Sequence, residues 1–244
     1  MKDNDSAPIF VVGCGHSGTT LLARLLGIHS RIGIIPFETN FAEIWPEPCA
    51  NAQKFFSQCA QFATCCGKAR WLEKTPTQIL LIARILQHFP HGKILLIIRD
   101  GRDVAYSYLE RHGKLDGGIE TWIEKNLAGE AFWKHPNVYL VRYEELVTDL
   151  EKTLHGILNF LGEELEEDML RHHEKPVYFF SSHLEKPPSL TGEHHPQYRN
   201  WQINQPLFDG RGKWLRLTEE QKHKVKLRMG EMLIKYGYAR DLNW

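Results

Sequence analysis

The stretch from Ile9 to Leu22, Ile-Phe-Val-Val-Gly-Cys-Gly-His-Ser-Gly-Thr-Thr-Leu-Leu, constrains this chain more than any other. Ile9 to Val12 read as a buried strand, small residues crowd the turn, and Leu21, Leu22, Leu25 and Leu26 mark the apolar side of a helix. A strand that feeds a glycine loop and opens a helix points several backbone N–H groups at one spot. The positive end of the helix dipole adds to them, so the expected product is an anion-binding turn at the end of a core strand.

Gly13 and Gly18 have the spacing of a Walker A loop, and Thr20 stands at its Ser/Thr position. Thr19 occupies the place of the lysine. A nucleotide triphosphatase needs that lysine on the terminal phosphates, so the loop is expected to hold an anion other than conventionally bound ATP. The competing reading is a tight strand-to-helix turn with no ligand.

The rest of the chain alternates strand and helix. Ile32 to Ile35 and Trp71 to Lys74 read as short strands. Thr75 is expected to cap a helix with Pro76 at its first position and Ile79, Ile82, Ala83, Leu86 and Phe89 on its buried side. Between Phe41 and Gly67, Phe55, Phe56, Cys59, Phe62 and Ala63 have helical spacing. Lys93 to Ile98 is the clearest buried strand, and its continuous apolar run is that of a parallel sheet covered on both faces. Asp100 caps the next helix, another helix covers Ile119 to Trp133, and Val138 to Val141 form a further core strand. Leu146, Leu150, Leu154, Ile157, Leu158 and Leu161 mark one face of a long helix stopped by Gly162, and Thr218 with Gln221 forms a capping box. The expected fold is α/β: one domain over residues 1–244, three layers, with a central, mostly parallel sheet flanked by helices. Between Glu174 and Trp214 the pattern fails, and a loop of that length in a compact domain is usually functional or disordered.

With 30 basic and 30 acidic residues the formal charge is zero, which gives no support to broad nucleic-acid or membrane-surface binding. Any anion site must be local. No apolar run approaches bilayer length and the first eight residues are polar, so a cytoplasmic protein without a membrane span is expected. Cys14, Cys49, Cys59, Cys65 and Cys66 are odd in number and contain no CxxC pair, which fits a reducing compartment.

Arg99-Asp100-Gly101-Arg102-Asp103-Val104-Ala105-Tyr106-Ser107 follows directly on the core strand, at the carboxyl end where open α/β sheets bind ligands. Arg99 at the junction and Ser107 two turns into the helix suit one phosphate, held by a guanidinium fork and a hydroxyl. Capping by Asp100 and Asp103 is compatible with that role.

At these residues the chain resembles the sulfotransferases that use 3′-phosphoadenosine 5′-phosphosulfate (PAPS), in the style of the protein-tyrosine and bacterial members. Ser17 to Leu22 is similar to their 5′-phosphosulfate loop, and Arg99 to Tyr108 to their 3′-phosphate motif, with Arg99 and Ser107 at the binding positions. Val141 to Asp149 resembles the segment whose tyrosine, here Tyr143, lies near the adenine. Gly210 to Gln221, with Arg211, Gly212 and Lys213, resembles the segment that closes over the cosubstrate. Four segments in register carry the resemblance across the whole chain.

The resemblance implies a PAPS site made by Gly15, His16, Ser17, Gly18, Thr19, Thr20, Arg99, Ser107, Tyr143, Arg211, Gly212 and Lys213, with Glu38, Lys74 and His16 as catalytic residues. Glu38 matches the glutamate base of protein-tyrosine sulfotransferases, and Lys74 matches the lysine that stabilises the transferring group. The cytosolic branch has its base histidine two residues after that lysine, where this chain has Pro76. His16 departs from the pattern, because the family generally places Lys or Arg there; histidine does the same work only when protonated. The implied reaction moves the sulfuryl group to a hydroxyl or amine of an acceptor with no metal required. The acceptor is a carbohydrate, phenol, lipid or peptide, and no nucleic-acid partner is expected. The segment from Glu174 to Asp209, with Tyr178, Phe179, Phe180, His183, His194, His195, Tyr198 and Trp201, is expected to line the acceptor pocket. Two rivals remain at this stage: a P-loop kinase, and a catalytically silent protein that binds PAPS or adenosine 3′,5′-bisphosphate (PAP).

Overall fold

The computed structural model describes residues 7–44, 50–177, 182–189 and 194–244. Five strands, β1 (Ile9–Gly13), β2 (Ile32–Ile34), β3 (Arg70–Lys74), β4 (Lys93–Ile98) and β5 (Val138–Arg142), form one sheet in the order β2-β3-β1-β4-β5. Every pairing is parallel, and β1 lies centrally with Ile9 opposite both Leu72 and Lys93. The helices are α1 (Thr19–Leu26), α2 (Phe41–Ile44), α3 (Ala50–Cys65), α4 (Ile82–His88), α5 (Gly101–His112), α6 (Leu115–Glu130), α7 (Tyr143–Thr148), α8 (Leu150–Leu161), α9 (Glu167–Leu170), α10 (His195–Ile203) and α11 (Glu219–Lys235).

Side chains alternate between the two faces of the sheet, and both faces are covered. Ile9, Val11, Leu95 and Ile97 pack on one side with Leu22, Leu25 and Leu26 of α1 and with Leu154, Ile157, Leu158 and Leu161 of α8. Phe10, Val12, Ile94, Leu96 and Ile98 pack on the other with Phe41, Trp71, Ile79, Ile82 and Ile85. Double coverage is why β1 and β4 read as unbroken apolar runs. An eight-residue helix is marginal alone, so α1 depends on its three fully buried leucines, each worth about 1.5–3 kcal/mol. A third cluster, with Trp122, Val225, Met229 and Leu233, seats α6 and α11 beside α5.

The α/β class with a P-loop-type parallel sheet is borne out, and local differences have local causes. Pro76 opens a 3-10 helix, Pro76–Leu81, ahead of α4, so Ile85 is buried while Ala83 lies exposed. Thr75 makes no capping bond; its hydroxyl donates to Glu73 instead. The long helix expected after β5 is two, α7 and α8, because Asp149 leaves helical geometry and its side chain caps α8 by accepting from Lys152 N–H. The Thr218–Gln221 capping box is present. The irregular segment after Glu174 contains α10, while Tyr178, Phe179 and Phe180 lie outside the described residues. Cys14, Cys59, Cys65 and Cys66 are free thiols, and Cys49 is outside the described residues. Among the described residues no helix is long and apolar enough to cross a membrane.

Candidate active site

The carboxyl ends of β1 and β4 are adjacent, so the loop after β1 and the arginine after β4 meet at the edge of one cavity. Gly13 has no room for a side chain, since a Cβ would lie 2.6 Å from the Ile97 carbonyl oxygen. Gly18, the N-cap of α1, has φ +95°, and a Cβ there would meet the Tyr143 ring at 2.7 Å. Glycine alone satisfies both the dihedral and the approach. Past Gly18, the first-turn N–H groups of α1 lack intrahelical partners by helix geometry, and Gly18, Thr19, Thr20 and Leu21 line the cavity.

Arg99 is located from three sides. The Trp122 indole N–H donates to its carbonyl at 2.9 Å, and Glu144 accepts the next backbone N–H, that of Asp100, at 2.9 Å. Its guanidinium lies 4.1 Å from the Tyr143 ring centroid. Nη1 donates to the His16 carbonyl at 2.9 Å and Nη2 to the Gly210 carbonyl at 2.6 Å, while the buried Nε has no partner among the described residues. Arg99 thus ties the first loop to the segment before α11. Asp103 fixes that segment further, accepting from the N–H groups of Gly212 at 2.9 Å and Trp214 at 3.0 Å. Burial pushes the Asp103 carboxyl above its ordinary value, against those hydrogen bonds and Arg99.

The cavity, about 290 Å³, gathers Gly15, His16, Gly18, Thr19, Thr20, Glu38, Arg99, Ser107, Tyr143 and Lys213 of the residues singled out in the sequence. Ser17 is fully buried beside it, Gly212 is held by Asp103, and Arg211 turns to the surface, paired with Asp209 at 2.7 Å. His16 has φ +66°, and its Nδ1 lies 3.0 Å from Ser107 Oγ. Lys74 is 7% exposed and lies behind Glu38, ion-paired with Oε1, in a small neighbouring hollow with Thr20 and Phe37. Of the late aromatics and histidines, Tyr198 and Trp201 pack on each other on α10, with His183 and His194 away from the cavity wall. The side chain of His195 lies outside the described residues. The late segment reaches the cavity instead through Arg199, Gln202, Ile203 and the stretch Gln205 to Phe208.

Two cavity cations had escaped sequence reasoning. Arg111 stands four residues beyond Ser107 on α5, so helical spacing puts it on the same face. Arg199 donates from Nη2 to Thr20 Oγ1 and to Glu38 Oε1, 3.1 Å each; nothing in its local sequence marks it. Among the described residues, four permanent cations, Arg99, Arg111, Arg199 and Lys213, line the cavity against one carboxylate, Glu38. Burial pushes the Glu38 carboxyl up, but Lys74 and Arg199 outweigh it and hold the group below the usual carboxylate range. Burial and then Arg199 push the Lys74 ammonium down, against the pull of Glu38.

A parallel sheet with a glycine loop after its central strand and an arginine after the neighbouring strand defines a P-loop-type α/β protein. The profile of the Sulfotransferase family matches residues 39–167, just over half the chain, and the chain belongs to that family. A putative protein-tyrosine sulfotransferase of Caenorhabditis briggsae is 26% identical over 204 residues, covering 71% of this chain and 72% of that one. An uncharacterised protein of Aquifex aeolicus is 25% identical over 211 residues, but the match spans only 28% of its length. The luciferin sulfotransferase of Photinus pyralis is 28% identical over 41% of this chain and 32% of its own. In fold, the chain is similar to a sulfotransferase domain from the curacin biosynthetic pathway, with TM-score 0.63, 16% identity and coverage of 93% and 97%. It is also similar to mouse sulfotransferase SULT7A1 complexed with PAP, with TM-score 0.58, 17% identity and coverage of 95% and 88%.

Proposed function

We propose that the chain transfers the sulfuryl group of PAPS to an acceptor hydroxyl or amine, with Glu38 as general base. The observation that carries this reading is the cavity in which the α1 N-terminus, Arg99, Ser107, Tyr143 and Lys213 converge, with four permanent cations to one carboxylate among the described residues. Such a site suits a ligand with several negative charges, and the aromatic face of Tyr143 suits a base. A P-loop kinase would need a lysine where this chain has Thr19.

In this reading the N–H groups around Gly18 and Thr19 hold the 5′-phosphosulfate end and Arg99 with Ser107 holds the 3′-phosphate. Glu38, kept ionised by Lys74 and Arg199, accepts the acceptor proton as the new bond from sulfur to the acceptor oxygen or nitrogen forms. The bridging bond to the 5′-phosphate breaks, and its electron pair leaves with PAP. Catalysis is then chiefly positioning and electrostatics. The names of the tyrosine- and luciferin-acting relatives support acceptors of both peptide and small-molecule kinds.

The test is transfer from ³⁵S-labelled PAPS to a panel of tyrosine peptides, phenols, sugars and amines. Labelled product with at least one acceptor supports the reading. Tight PAP binding with no product across the panel favours a silent binder.

A further inference from the structure

Arg199 bridges the two halves of the site. It stands on α10, 179 residues from Thr20 and 161 from Glu38, and a single nitrogen, Nη2, donates to the hydroxyl of one and the carboxylate of the other. Thr20 belongs to the loop read as holding the sulfuryl-bearing end of the donor, and Glu38 is read as the base. In the transfer, the sulfur–oxygen bond to the 5′-phosphate breaks and a bond from sulfur to the acceptor oxygen or nitrogen forms. The electron pair stays on the departing phosphate, and the acceptor proton passes to Glu38. The sulfur therefore moves between the two groups that Arg199 already touches.

We infer that Arg199 is a further catalytic residue, whose guanidinium contacts the non-bridging oxygens of the sulfuryl group in bound PAPS and through its transfer; this rests on the donor and base assigned above. Charge supports it. Lys74 and Arg199 both pair with Glu38, and among the described residues Glu38 is the one carboxylate that lines the cavity. The crowding of cations is felt nearby: after burial, Arg199 is the next cause that holds both Lys74 and Arg111 below their ordinary values. An incoming oxyanion relieves that repulsion. A guanidinium carries five N–H groups in a planar fork, so it can keep Glu38 and meet an oxyanion at the same time. Its side chain is 23% exposed, a position that a substitution leaves foldable.

The competing role is a latch, in which the ion pair merely seats α10 on the site. Calorimetric titration of wild type, Arg199→Gln and Arg199→Lys with PAPS and with PAP separates the two without an acceptor, because PAP lacks the sulfuryl group. Loss of a charge-assisted contact to the sulfuryl should weaken PAPS binding by Arg199→Gln about 10- to 100-fold, with PAP affinity within about threefold of wild type and Arg199→Lys intermediate. Equal weakening toward both nucleotides, or no change toward either, overturns the inference and leaves the donor reading standing. A wild-type chain that binds neither overturns the donor reading, and this assignment with it.

Discussion

His16 Nδ1 lies 3.0 Å from Ser107 Oγ, so the histidine of the first loop reaches the serine of the helix that follows β4. The contact crosses from the loop read as a 5′-phosphosulfate site to the residue read as a 3′-phosphate ligand. His16 has a positive φ, and its ring packs with Tyr108 and His112 at centroid distances of 5.5 and 5.7 Å. If His16 serves as a protonated donor to a bound anion, His16→Arg should retain transfer and flatten the alkaline limb of its pH profile. His16→Ala should lower transfer and, through the loss of the Ser107 contact, also reduce the preference for PAP over adenosine 5′-monophosphate. Rates and affinities measured from pH 6 to 9 check both. Loss of transfer in His16→Arg with PAP binding intact would show that the imidazole is needed neutral or for its size.

Glu38→Gln keeps shape and hydrogen bonding but cannot take a proton, so turnover should fall about 10²- to 10⁴-fold with PAP affinity nearly intact. The wild-type acid limb has a defined sign. Lys74 and Arg199 hold the Glu38 carboxyl down, so the base stays ionised at neutral pH and activity falls only as pH drops through that depressed value. Lys74→Met should move the limb to higher pH, and an unmoved limb would assign it to another group.

Glu73 is fully buried beneath this pair. Its Oε1 accepts from Thr39 N–H at 3.2 Å, from Thr39 Oγ1 at 2.9 Å and from the Thr75 hydroxyl, and so fixes the backbone immediately after the base. Glu73→Ala removes the acceptor of the Thr39 and Thr75 hydroxyls at a cost of about 1–3 kcal/mol, leaves the Thr39 N–H only Thr75 Oγ1 at 3.0 Å, and should loosen Glu38 from its cations. Turnover should drop and the acid limb rise while PAP affinity holds, with Glu73→Gln restoring much of both. A pure stability loss, with an unchanged profile in the folded fraction, would reduce Glu73 to scaffolding.

His172 anchors the late segment. Its Nε2 donates to the Gln205 carbonyl at 3.1 Å, and Arg24 donates to its backbone oxygen at 2.6 Å. Burial first, and then Arg24, push its imidazole down from 6.5 to about 4. A histidine lowered in the fold is protonated first in the unfolded chain, so stability should fall as pH drops from about 6.5 toward 4. Melting temperature followed across that window should show the slope, and His172→Asn, which retains a donor, should flatten it.

The sequence carried much of this site because the chemistry of the first loop and of Arg99 to Ser107 is local to continuous stretches. Arg111 was readable in principle from its i+4 relation to Ser107. Arg199 was not: it arrives from α10, and only the folded segment brings it against Thr20 and Glu38. Arg211 resembles a cosubstrate ligand by position, and in the fold its guanidinium pairs at the surface with Asp209, two residues earlier. The division of the helix after β5 at Asp149 was hidden by a leucine pattern that both pieces share, since α7 and α8 present Leu146 and Leu154 to the same core.

The central claim is that this cavity holds the adenylate of PAPS. Titration calorimetry of wild type and Arg99→Ala with PAP, adenosine 5′-monophosphate and ATP with magnesium tests it most directly. Wild type should bind PAP far more tightly than either comparator, and Arg99→Ala should lose about 1.5–3 kcal/mol of that preference over the monophosphate. Equal binding of PAP and the monophosphate by wild type, or tighter binding of ATP with magnesium, would contradict it.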